Sequence, residues 1–553
     1  MKNLLSFKLL IFLFLPLTVV ERALAQTTLY YNINGYTLDA TGTLRQFSAI
    51  QFTNEKIDHL FTQDDNLPNS GKINKINGQG KTLLPGLIDA HGHVLSYGLS
   101  LMQVDLTNTK SEQEAIQRSR NFYQQNKVTT WLLGRGWNQE LWQSKQFPQA
   151  THLDEYFKDI PIWFKRIDGH AGWANSKAMA LAGITKETLS PDGGEIIRDE
   201  QGHPTGIFID NAMQLIVDKI PPLTVQQRQQ ALTKAMHELA ALGLTSVHDA
   251  GIDHATIKAY KMLAKHKKMP IRVNGMIDVN DKNISTLLAN GFYRSNDDML
   301  AINSVKISAD GALGSRGASL IQDYTDLPKH RGLLLYSPEK LEKLIATVMV
   351  ANFQVNTHAI GDNANTLILD LYEKYIAKTQ TAHLRHRIEH AQVLQLNDIP
   401  RFAKLKVIAS MQATHATSDK NMAEKRLGSQ RILGAYAWQK LLHEGAVIAG
   451  GSDFPIEPAN PFYGLHASIT RQDRQNTPKA GWYVNDAMTL TQAFNSFTYA
   501  AAYAGHQEAI IGSLAEGKKA DFILIDQDIF TLNPKMIWKT KVLATWVNGK
   551  KVY

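Results

Sequence analysis

Cysteine is absent from this chain of 553 residues. Without cysteine there is no disulfide framework, no thiolate nucleophile and no cysteine-linked lipid. A cysteine-free chain also avoids mispaired disulfides in an oxidising compartment. The composition therefore excludes cysteine chemistry and is compatible with export.

Long apolar runs are missing beyond the N-terminus, where no stretch approaches the roughly 18 uninterrupted apolar residues of a membrane span. The formal charge of +8 is spread along the chain and forms no basic block. A Gly-rich phosphate loop, a dinucleotide fingerprint and a Gly-x-Ser-x-Gly elbow are also missing. We therefore expect a soluble mature protein with no membrane anchor and no nucleic-acid partner.

The N-terminus has the features of a secretory signal peptide. Lys2 and Lys8 flank the start, residues 9–20 form an apolar core, and Ala23-Leu24-Ala25 supplies small residues at the cleavage position. We predict that residues 1–25 are removed, which leaves Gln26 as the mature start. The periplasm is the expected location, with full secretion as the alternative.

Both ends of the mature chain are rich in short β-branched and aromatic segments, which are typical of strands. We predict that residues 26–82 and 506–553 pair into one small discontinuous β-sandwich domain; two separate flaps are the alternative. The long middle, residues 83–505, alternates strand-like and helix-like segments, as parallel βαβ units do.

Eight strand-like segments in that middle region predict an α/β fold with a (β/α)₈ TIM barrel. They cover residues 83–93, 244–250, 271–279, 304–310, 354–360, 387–391, 406–415 and 446–453. A doubly wound parallel sheet is the alternative. The gap after the first segment is too long for one helix, so residues 106–222 are predicted to form an insertion that covers the barrel mouth as a lid.

The first barrel strand carries the motif LLPGLIDAHGHV, residues 83–94. Its polar residues Asp89, His91 and His93 alternate, so in a strand they project from one face. Two imidazoles on one face at the end of a buried strand are well placed to bind a metal ion. The alternative is a pair of polar residues that cap the strand end.

Other strands carry metal-competent side chains near their ends: Lys306, His358, His390 and Asp453. Each has an ordinary structural explanation, such as a core histidine, a turn-forming aspartate or a lysine that reaches water. In a barrel, however, the carboxyl ends of all strands meet at one mouth. The coincidence of several such groups therefore favours a common site.

These stretches resemble the amidohydrolase superfamily of metal-dependent hydrolases, in particular the branch that includes N-substituted formamide deformylase (amidohydrolase family 3). The matching motifs are LLPGLIDAHGH, TSVHDAG, VKISADGALGSRGA, NTHAIGD, RIEHAQ, MQATHATSD and GGSDFPIEP. They extend from the first barrel strand to the last. One departure is Gly317, where the resemblance leads us to expect threonine.

The resemblance implies a site for two divalent metal ions, with Zn²⁺ as the first choice. The implied ligands are His91, His93, Lys306, His358, His390 and Asp453. The two histidines of the first strand and Asp453 would bind one ion, and His358 and His390 the other. Lys306 would carry a carboxyl group on its amine (an N6-carboxylated lysine) and bridge both ions.

The implied reaction is hydrolysis of a carbon–nitrogen bond in a small amide, N-acyl or N-formyl compound. A hydroxide shared by the ions would attack the carbonyl carbon, and Asp453 would transfer its proton to the leaving amine. Hydrolysis of a lactone or ester on the same site is one alternative, and a non-catalytic ligand-binding barrel is another. A homo-oligomer is left open.

Three residues are candidates for binding the substrate. Arg316 lies in a Gly-rich loop after the fourth barrel strand, and His415 is predicted to end the seventh strand at the same mouth. His170 is the candidate from the insertion, where it would line the lid. For each of them an ordinary structural role is the alternative.

Overall fold

The computed structural model describes residues 26–39, 41–126, 128, 130–167, 169–191 and 193–553. The predicted signal peptide, residues 1–25, lies outside the described residues. Among the helices of the described part, none combines the length and the apolar character needed to cross a membrane. Within these described residues the strands form three β-sheets.

The strands are β1 (Thr27–Leu38), β2 (Leu44–Thr53), β3 (Lys56–Phe61), β4 (Asn74–Pro85), β5 (Leu87–Gly92), β6 (Val104–Asp105), β7 (Leu132–Trp137), β8 (Ile162–Arg166), β9 (Ala171–Ala174), β10 (Gly194–Arg198), β11 (Pro204–Asp210), β12 (Leu244–Ile252), β13 (Arg272–Asp278), β14 (Tyr293–Arg294), β15 (Leu300–Ser308), β16 (Gln354–Ala359), β17 (Arg387–His390), β18 (Ile408–Gln412), β19 (Ile448–Gly451), β20 (Phe522–Ile525), β21 (Val542–Val547) and β22 (Lys550–Lys551).

The α-helices are α1 (Val94–Leu101), α2 (Glu112–Gln125), α3 (Ala150–Asp154), α4 (Ser176–Leu181), α5 (Gln214–Val217), α6 (Val225–Ala241), α7 (His254–Lys265), α8 (Ile284–Ala289), α9 (Pro338–Val350), α10 (Asp362–Thr379), α11 (Ile399–Leu405), α12 (Ala413–Asp419), α13 (Ala423–Arg431), α14 (Trp438–His443), α15 (Pro461–Thr470), α16 (Leu490–Ser496) and α17 (Tyr499–Ala504).

The predicted barrel is present as eight parallel strands in chain order: β5, β12, β13, β15, β16, β17, β18 and β19. Its two edges meet, because the Asp453 N–H donates to the His91 carbonyl at 2.7 Å and the His93 N–H to the Phe454 carbonyl at 2.8 Å. Because the strands follow one another in chain order and the two edges are joined, the sheet is a TIM-type barrel. The doubly wound alternative is therefore excluded.

The two ends of the chain share one seven-stranded sheet with the order β22-β21-β20-β4-β1-β2-β3. β4 joins them, since it pairs in parallel with β1 and antiparallel with β20. The prediction that this unit is a β-sandwich stays a prediction. Residues 83–85, which we expected in the first barrel strand, belong to β4.

Gly86 separates β4 from the barrel strand β5. A Cβ at this position would lie 2.1 Å from Thr245 Oγ1, so only glycine fits where the chain passes from one sheet into the next. The flanking residues are buried on both sides of this point. The apolar pattern is therefore continuous, and periodicity alone could not place the boundary.

The insertion forms its own six-stranded sheet with the order β10-β11-β9-β8-β7-β6. Its core is aromatic: Trp137 and Trp173 are fully buried, with ring centroids 6.4 Å apart. Helix α6 then returns the chain to β12, and a capping box between Thr224 and Gln227 marks where that helix begins. The lid role of the insertion stays a prediction.

A buried ion pair ties the barrel to the seven-stranded sheet. Arg272 of β13 meets Asp521 through two nitrogens, at 2.7 and 3.0 Å, and both side chains are almost completely buried. Substitution of Asp521 by alanine leaves a buried guanidinium unpaired, so we expect the free energy of unfolding to fall by about 3–5 kcal/mol.

Urea unfolding followed by circular dichroism measures this loss. Asp526→Ala is the matched control, because Asp526 is only half-buried and accepts one backbone N–H, from Lys541. We expect that control to lose about 1 kcal/mol or less. Equal stability of the Asp521 variant and the wild type would contradict the anchoring role of the pair.

Candidate metal centre

The end of the first barrel strand, β5, is held in place by the residue that follows the last barrel strand, β19. Asp89 accepts the Ser452 hydroxyl at 2.6 Å and the His91 N–H at 3.0 Å, and it is fully buried. Burial raises the pKa of Asp89 to about 7, although the hydrogen bonds from Ser452 oppose that rise. Asp89 therefore fixes the strand that presents His91 and His93.

Gly92 lies between the two histidines and allows the close approach of the last barrel loop. A Cβ on Gly92 would lie 2.2 Å from the ring of Phe454. The residue before that ring, Asp453, has a φ of +62°, which turns the chain sharply after β19. The geometry brings the Asp453 carboxylate over His91 and His93.

Contacts join the predicted ligands into one group. Asp453 Oδ1 lies 3.1 Å from His93 Nε2 and 3.7 Å from His91 Nε2. His91 Nε2 in turn lies 3.3 Å from Lys306 Nζ. The ring centroid of His390 is 4.9 Å from that of His91.

His358 completes this group, because its ring centroid lies 4.5 Å from that of His390. The six-residue cluster, as we name it, thus consists of His91, His93, Lys306, His358, His390 and Asp453. All six come from the carboxyl-terminal side of the barrel strands or the loop that follows β19. The structure therefore brings together every predicted ligand.

Two of the histidines are oriented by buried polar partners. The Nδ1 atom of His91 contacts the carboxylate of Glu389, and Nδ1 of His390 lies 2.7 Å from Gln412 Oε1. These contacts leave Nε2 of both rings facing the cluster. A partner on the outer nitrogen fixes the tautomer and ring angle of a metal-binding histidine.

A buried arginine, Arg387, holds the Glu389 carboxylate in place. Arg387 Nη2 lies 2.9 Å from Glu389 Oε2 and also donates to the Ala90 carbonyl at 2.7 Å and to Ser410 Oγ at 2.8 Å. Burial opposes ionisation of Glu389, but the charge of Arg387 holds its pKa well below the usual range. The Glu389 carboxylate beside His91 is therefore ionised.

Sequence reasoning missed Glu389, Gln412 and Arg387. The available signal was the strand Arg387–His390, in which two charged residues alternate within a fully buried segment. Charges are rarely buried without partners, so this pattern indicates a polar network inside the barrel. The partners themselves could not be read from the sequence, because they lie on other strands.

Burial sets the protonation of the cluster. It lowers the pKa of His91 to about 4, an effect that the charge of Lys306 reinforces. It also lowers the pKa of His390 and of Lys306. His91 and His390 are therefore neutral at neutral pH, which is the form that binds metal ions.

The residues present fit divalent metal ions. Asp453 Oδ1 and His415 Nε2 are buried and have no hydrogen bond of acceptable geometry to any described residue. Two groups of donor atoms lie within 4.8 Å of one another, and Asp453 belongs to both: His91, His93, Asp453 and His390, His415, Asp453. Buried, unsatisfied nitrogen and oxygen donors that converge in this way suit zinc, manganese, iron or cobalt.

His415 lies at the cluster but not on the predicted element. β18 ends at Gln412, and His415 sits in the first turn of α12. A short buried apolar run does not distinguish strand from helix, so the strand was predicted too long. The prediction that His415 faces the mouth agrees with the geometry, because its Nε2 lies 3.6 Å from Asp453 Oδ2.

The other two substrate candidates have partners of their own. Arg316 forms two contacts with Asp326, at 2.9 and 3.2 Å, and Arg426 shares the same carboxylate. In the insertion, His170 Nδ1 lies 2.7 Å from Asp210 Oδ1. The contacts that define the six-residue cluster include neither Arg316 nor His170.

Comparison with known proteins agrees with this geometry. A family model described as "Amidohydrolase family" (Amidohydro_3) matches residues 75–553. Protein LONG AFTER FAR-RED 3 of Arabidopsis thaliana is 35% identical over 87% of this chain and 83% of that protein. YtcJ of Bacillus subtilis (strain 168) is 32% identical over 88% of this chain and 91% of that protein.

Among solved structures, an uncharacterized metal-dependent hydrolase from Pyrococcus horikoshii OT3 is 27% identical, with a TM-score of 0.77. The match covers 92% of this chain and 99% of that one. N-substituted formamide deformylase of Arthrobacter pascens is less similar than the two relatives above, at 25% identity over 85% of this chain and 88% of that protein. The resemblance to the superfamily is thus confirmed, and this chain belongs to the amidohydrolase family of metal-dependent hydrolases.

Proposed function

We propose that this protein is an exported, binuclear amidohydrolase that cleaves the carbon–nitrogen bond of a small amide, N-acyl or N-formyl compound. The single observation that carries the proposal is the convergence of the six-residue cluster at the carboxyl-terminal end of the barrel. Nitrogen and oxygen donors meet there in a buried setting, with one amine and one carboxylate among them. That combination of groups serves hydrolysis better than simple ligand binding.

His91, His93 and Asp453 would hold one divalent ion, and His358 and His390 the second. When bound, such a pair of ions supplies an ionised water at neutral pH and polarises the carbonyl oxygen of the substrate. The contribution of the chain is to hold the donors rigidly. Glu389 and Gln412 do so from outside, through the Nδ1 atoms of His91 and His390.

Lys306 is the residue whose ordinary form fits least well. It is buried, and no carboxylate of a described residue lies within ion-pair distance; its near neighbour is His91 Nε2. We propose that its neutral amine adds to the carbon of carbon dioxide and loses a proton. The resulting carbamate replaces a buried cation by an anion with two oxygen ligands, which removes the cost of burial.

Asp453 would move the proton. Its Oδ1 faces His93, the proposed ligand of the same ion, and its Oδ2 faces His415, so Oδ2 is the oxygen available to exchange a proton within the site. Burial opposes ionisation of Asp453, but its close contact with His93 holds its pKa well below the usual range. It is therefore ionised and able to accept a proton from water and donate it to the leaving nitrogen.

Substrate contacts follow from what lines the cluster. We propose that His415 Nε2, which is buried and unsatisfied, hydrogen-bonds the substrate carbonyl oxygen. Arg316 would bind a carboxylate of the substrate only after it leaves Asp326, and His170 would act from the insertion. Kinship to N-substituted formamide deformylase supports N-formyl amines as the first substrates to test.

The testing experiment combines metal analysis with a hydrolysis screen. We expect two divalent ions per chain in the purified enzyme and turnover of N-formyl or N-acyl amines above that of matched esters. His358→Asn removes a donor to the second ion and is expected to lower kcat/KM by roughly 100-fold, since such an ion contributes several kcal/mol.

His383→Asn is the matched control, because His383 is exposed, its Nδ1 lies near the Gln380 carbonyl, and it does not belong to the six-residue cluster. Full turnover by the His358 variant would contradict the second metal site. Faster hydrolysis of the esters would assign the site to the lactone and ester alternative. Sequencing the N-terminus of periplasmic protein tests export, with Gln26 expected as the first residue.

A further inference from the structure

Asp310 is a buried carboxylate that follows β15 and has no assigned role. Three backbone N–H groups donate to it: those of Ser319 and Gly361 to Oδ2, both at 2.8 Å, and that of Ile360 to Oδ1 at 3.0 Å. Its side chain is fully buried. Three donors hold both oxygens in a fixed direction.

Asp310 also faces a histidine of the six-residue cluster. Its Oδ1 lies 3.4 Å from His358 Nε2, which is buried and meets no hydrogen-bond geometry with any described residue. His91 and His390 have their outer partners on Nδ1 instead. In His358, by contrast, the nitrogen that faces a buried carboxylate is Nε2.

We propose that Asp310 is a positioning residue that keeps the proton of His358 on Nε2, so that the Nδ1 lone pair faces the second metal ion. This inference rests on the proposed function, since it gives the second ion a donor atom. A carboxylate on the outer nitrogen fixes the tautomer and raises the basicity of the inner one. The same carboxylate anchors the loop through Ser319, so loop and ligand are held by one group.

Asp310→Asn is the informative substitution because it replaces one carboxylate oxygen, a hydrogen-bond acceptor, by an NH₂ group, a donor. An asparagine that keeps its carbonyl at the Oδ2 position still accepts the Ser319 and Gly361 N–H groups. Its NH₂ group then takes the place of Oδ1, where it loses the hydrogen bond from the Ile360 N–H but faces His358 Nε2 and donates to it. That arrangement places the histidine proton on Nδ1 and blocks the donor atom.

Asp362→Asn is the matched control. Asp362 is buried and anchors the same loop, since its Oδ1 accepts the Ile321 N–H at 3.0 Å. Its other oxygen lies 2.6 Å from Gln395 Nε2. Among the described contacts, Asp362 has none with His358. Asp362→Asn therefore weakens the anchoring of the same loop, as Asp310→Asn does, without changing the His358 imidazole.

Two measurements test the proposal. Zinc titration by calorimetry is expected to show affinity for the second ion about 10- to 100-fold weaker in Asp310→Asn and unchanged in Asp362→Asn. Nitrogen-15 NMR of histidine-labelled, metal-free enzyme is expected to show His358 protonated on Nε2 in the wild type and on Nδ1 in Asp310→Asn. The His358→Asn variant identifies the signal.

The wild-type NMR spectrum keeps the proposal open to refutation even if Asp310→Asn does not fold. A wild-type His358 protonated on Nδ1 would overturn it. Equal losses of the second ion in both aspartate variants would also overturn it, because the effect would then belong to the loop. A wild type that binds fewer than two ions but keeps the Nε2 proton would reject the proposed function and leave the Asp310 contact intact.

Discussion

The Asp453→Asn enzyme is expected to have a kcat about 10³-fold or more below that of the wild type, with its fold retained. Asparagine cannot accept a proton, and general acid–base transfer contributes roughly 10²- to 10⁴-fold. The substitution also replaces an anionic oxygen that lies 3.1 Å from His93 Nε2 by a neutral one. Steady-state kinetics on the best substrate from the screen measures the effect.

Asp473→Asn is the control for that measurement. Asp473 is a partly exposed aspartate that pairs with Lys420 at 2.8 Å and belongs to none of the donor groups. We expect its kcat to stay within about twofold of the wild type, since exposed ion pairs contribute about 1 kcal/mol or less to stability. Wild-type turnover by Asp453→Asn would remove Asp453 from the proton path.

Lys306→Met is the second substitution with a large expected effect. Methionine fills the space of the lysine stem but cannot form a carbamate, so the bridging anion is lost. We expect kcat/KM to fall by roughly 10³-fold, because charge stabilisation at a metal pair contributes several kcal/mol and each tenfold corresponds to 1.36 kcal/mol.

Two controls distinguish the carbamate from a general loss of structure. Lys374→Met alters an exposed lysine that pairs with Glu342 at 2.6 Å, and full activity is expected. Wild-type enzyme that is stripped of metal and then reloaded in buffer free of carbon dioxide should regain activity only after bicarbonate is added. Full recovery without bicarbonate would contradict a carboxylated Lys306.

The barrel and the convergence of the six proposed donors could be predicted because the signal is local. Each strand of a parallel barrel is a short apolar run, and its carboxyl end lies at the shared mouth whatever the intervening sequence. His358 and Asp453 could therefore be assigned to one site although they are 95 positions apart. The sequence interval between donors carries no information about their separation in space.

The supporting residues could not be predicted because their role depends on contacts between strands. Glu389 acts through His91, nearly 300 positions earlier in the chain, and Asp310 acts through His358 on the neighbouring strand. From the sequence alone, a carboxylate in a loop motif can equally be interpreted as a turn-forming residue. The structure alone shows which imidazole each one faces.

Substrate recognition was the least predictable part for a related reason. Arg316 in a Gly-rich loop suggests an anion site, but the carboxylate that it meets is Asp326, ten residues further on. Surface ion pairs of this kind leave no pattern in the sequence. His415 was assigned to the right region and the wrong element, because α12 follows β18 without a turn signal.

Anomalous X-ray diffraction from crystals of the zinc-loaded enzyme tests the central claim most directly. The account predicts two zinc peaks inside the six-residue cluster, one beside His91 and His93 and the other beside His358 and His390, each about 2.0–2.1 Å from histidine nitrogens. Density for a carboxylated Lys306 should lie between them. Zinc peaks elsewhere on the barrel, with none at this cluster in active crystals, would contradict the account.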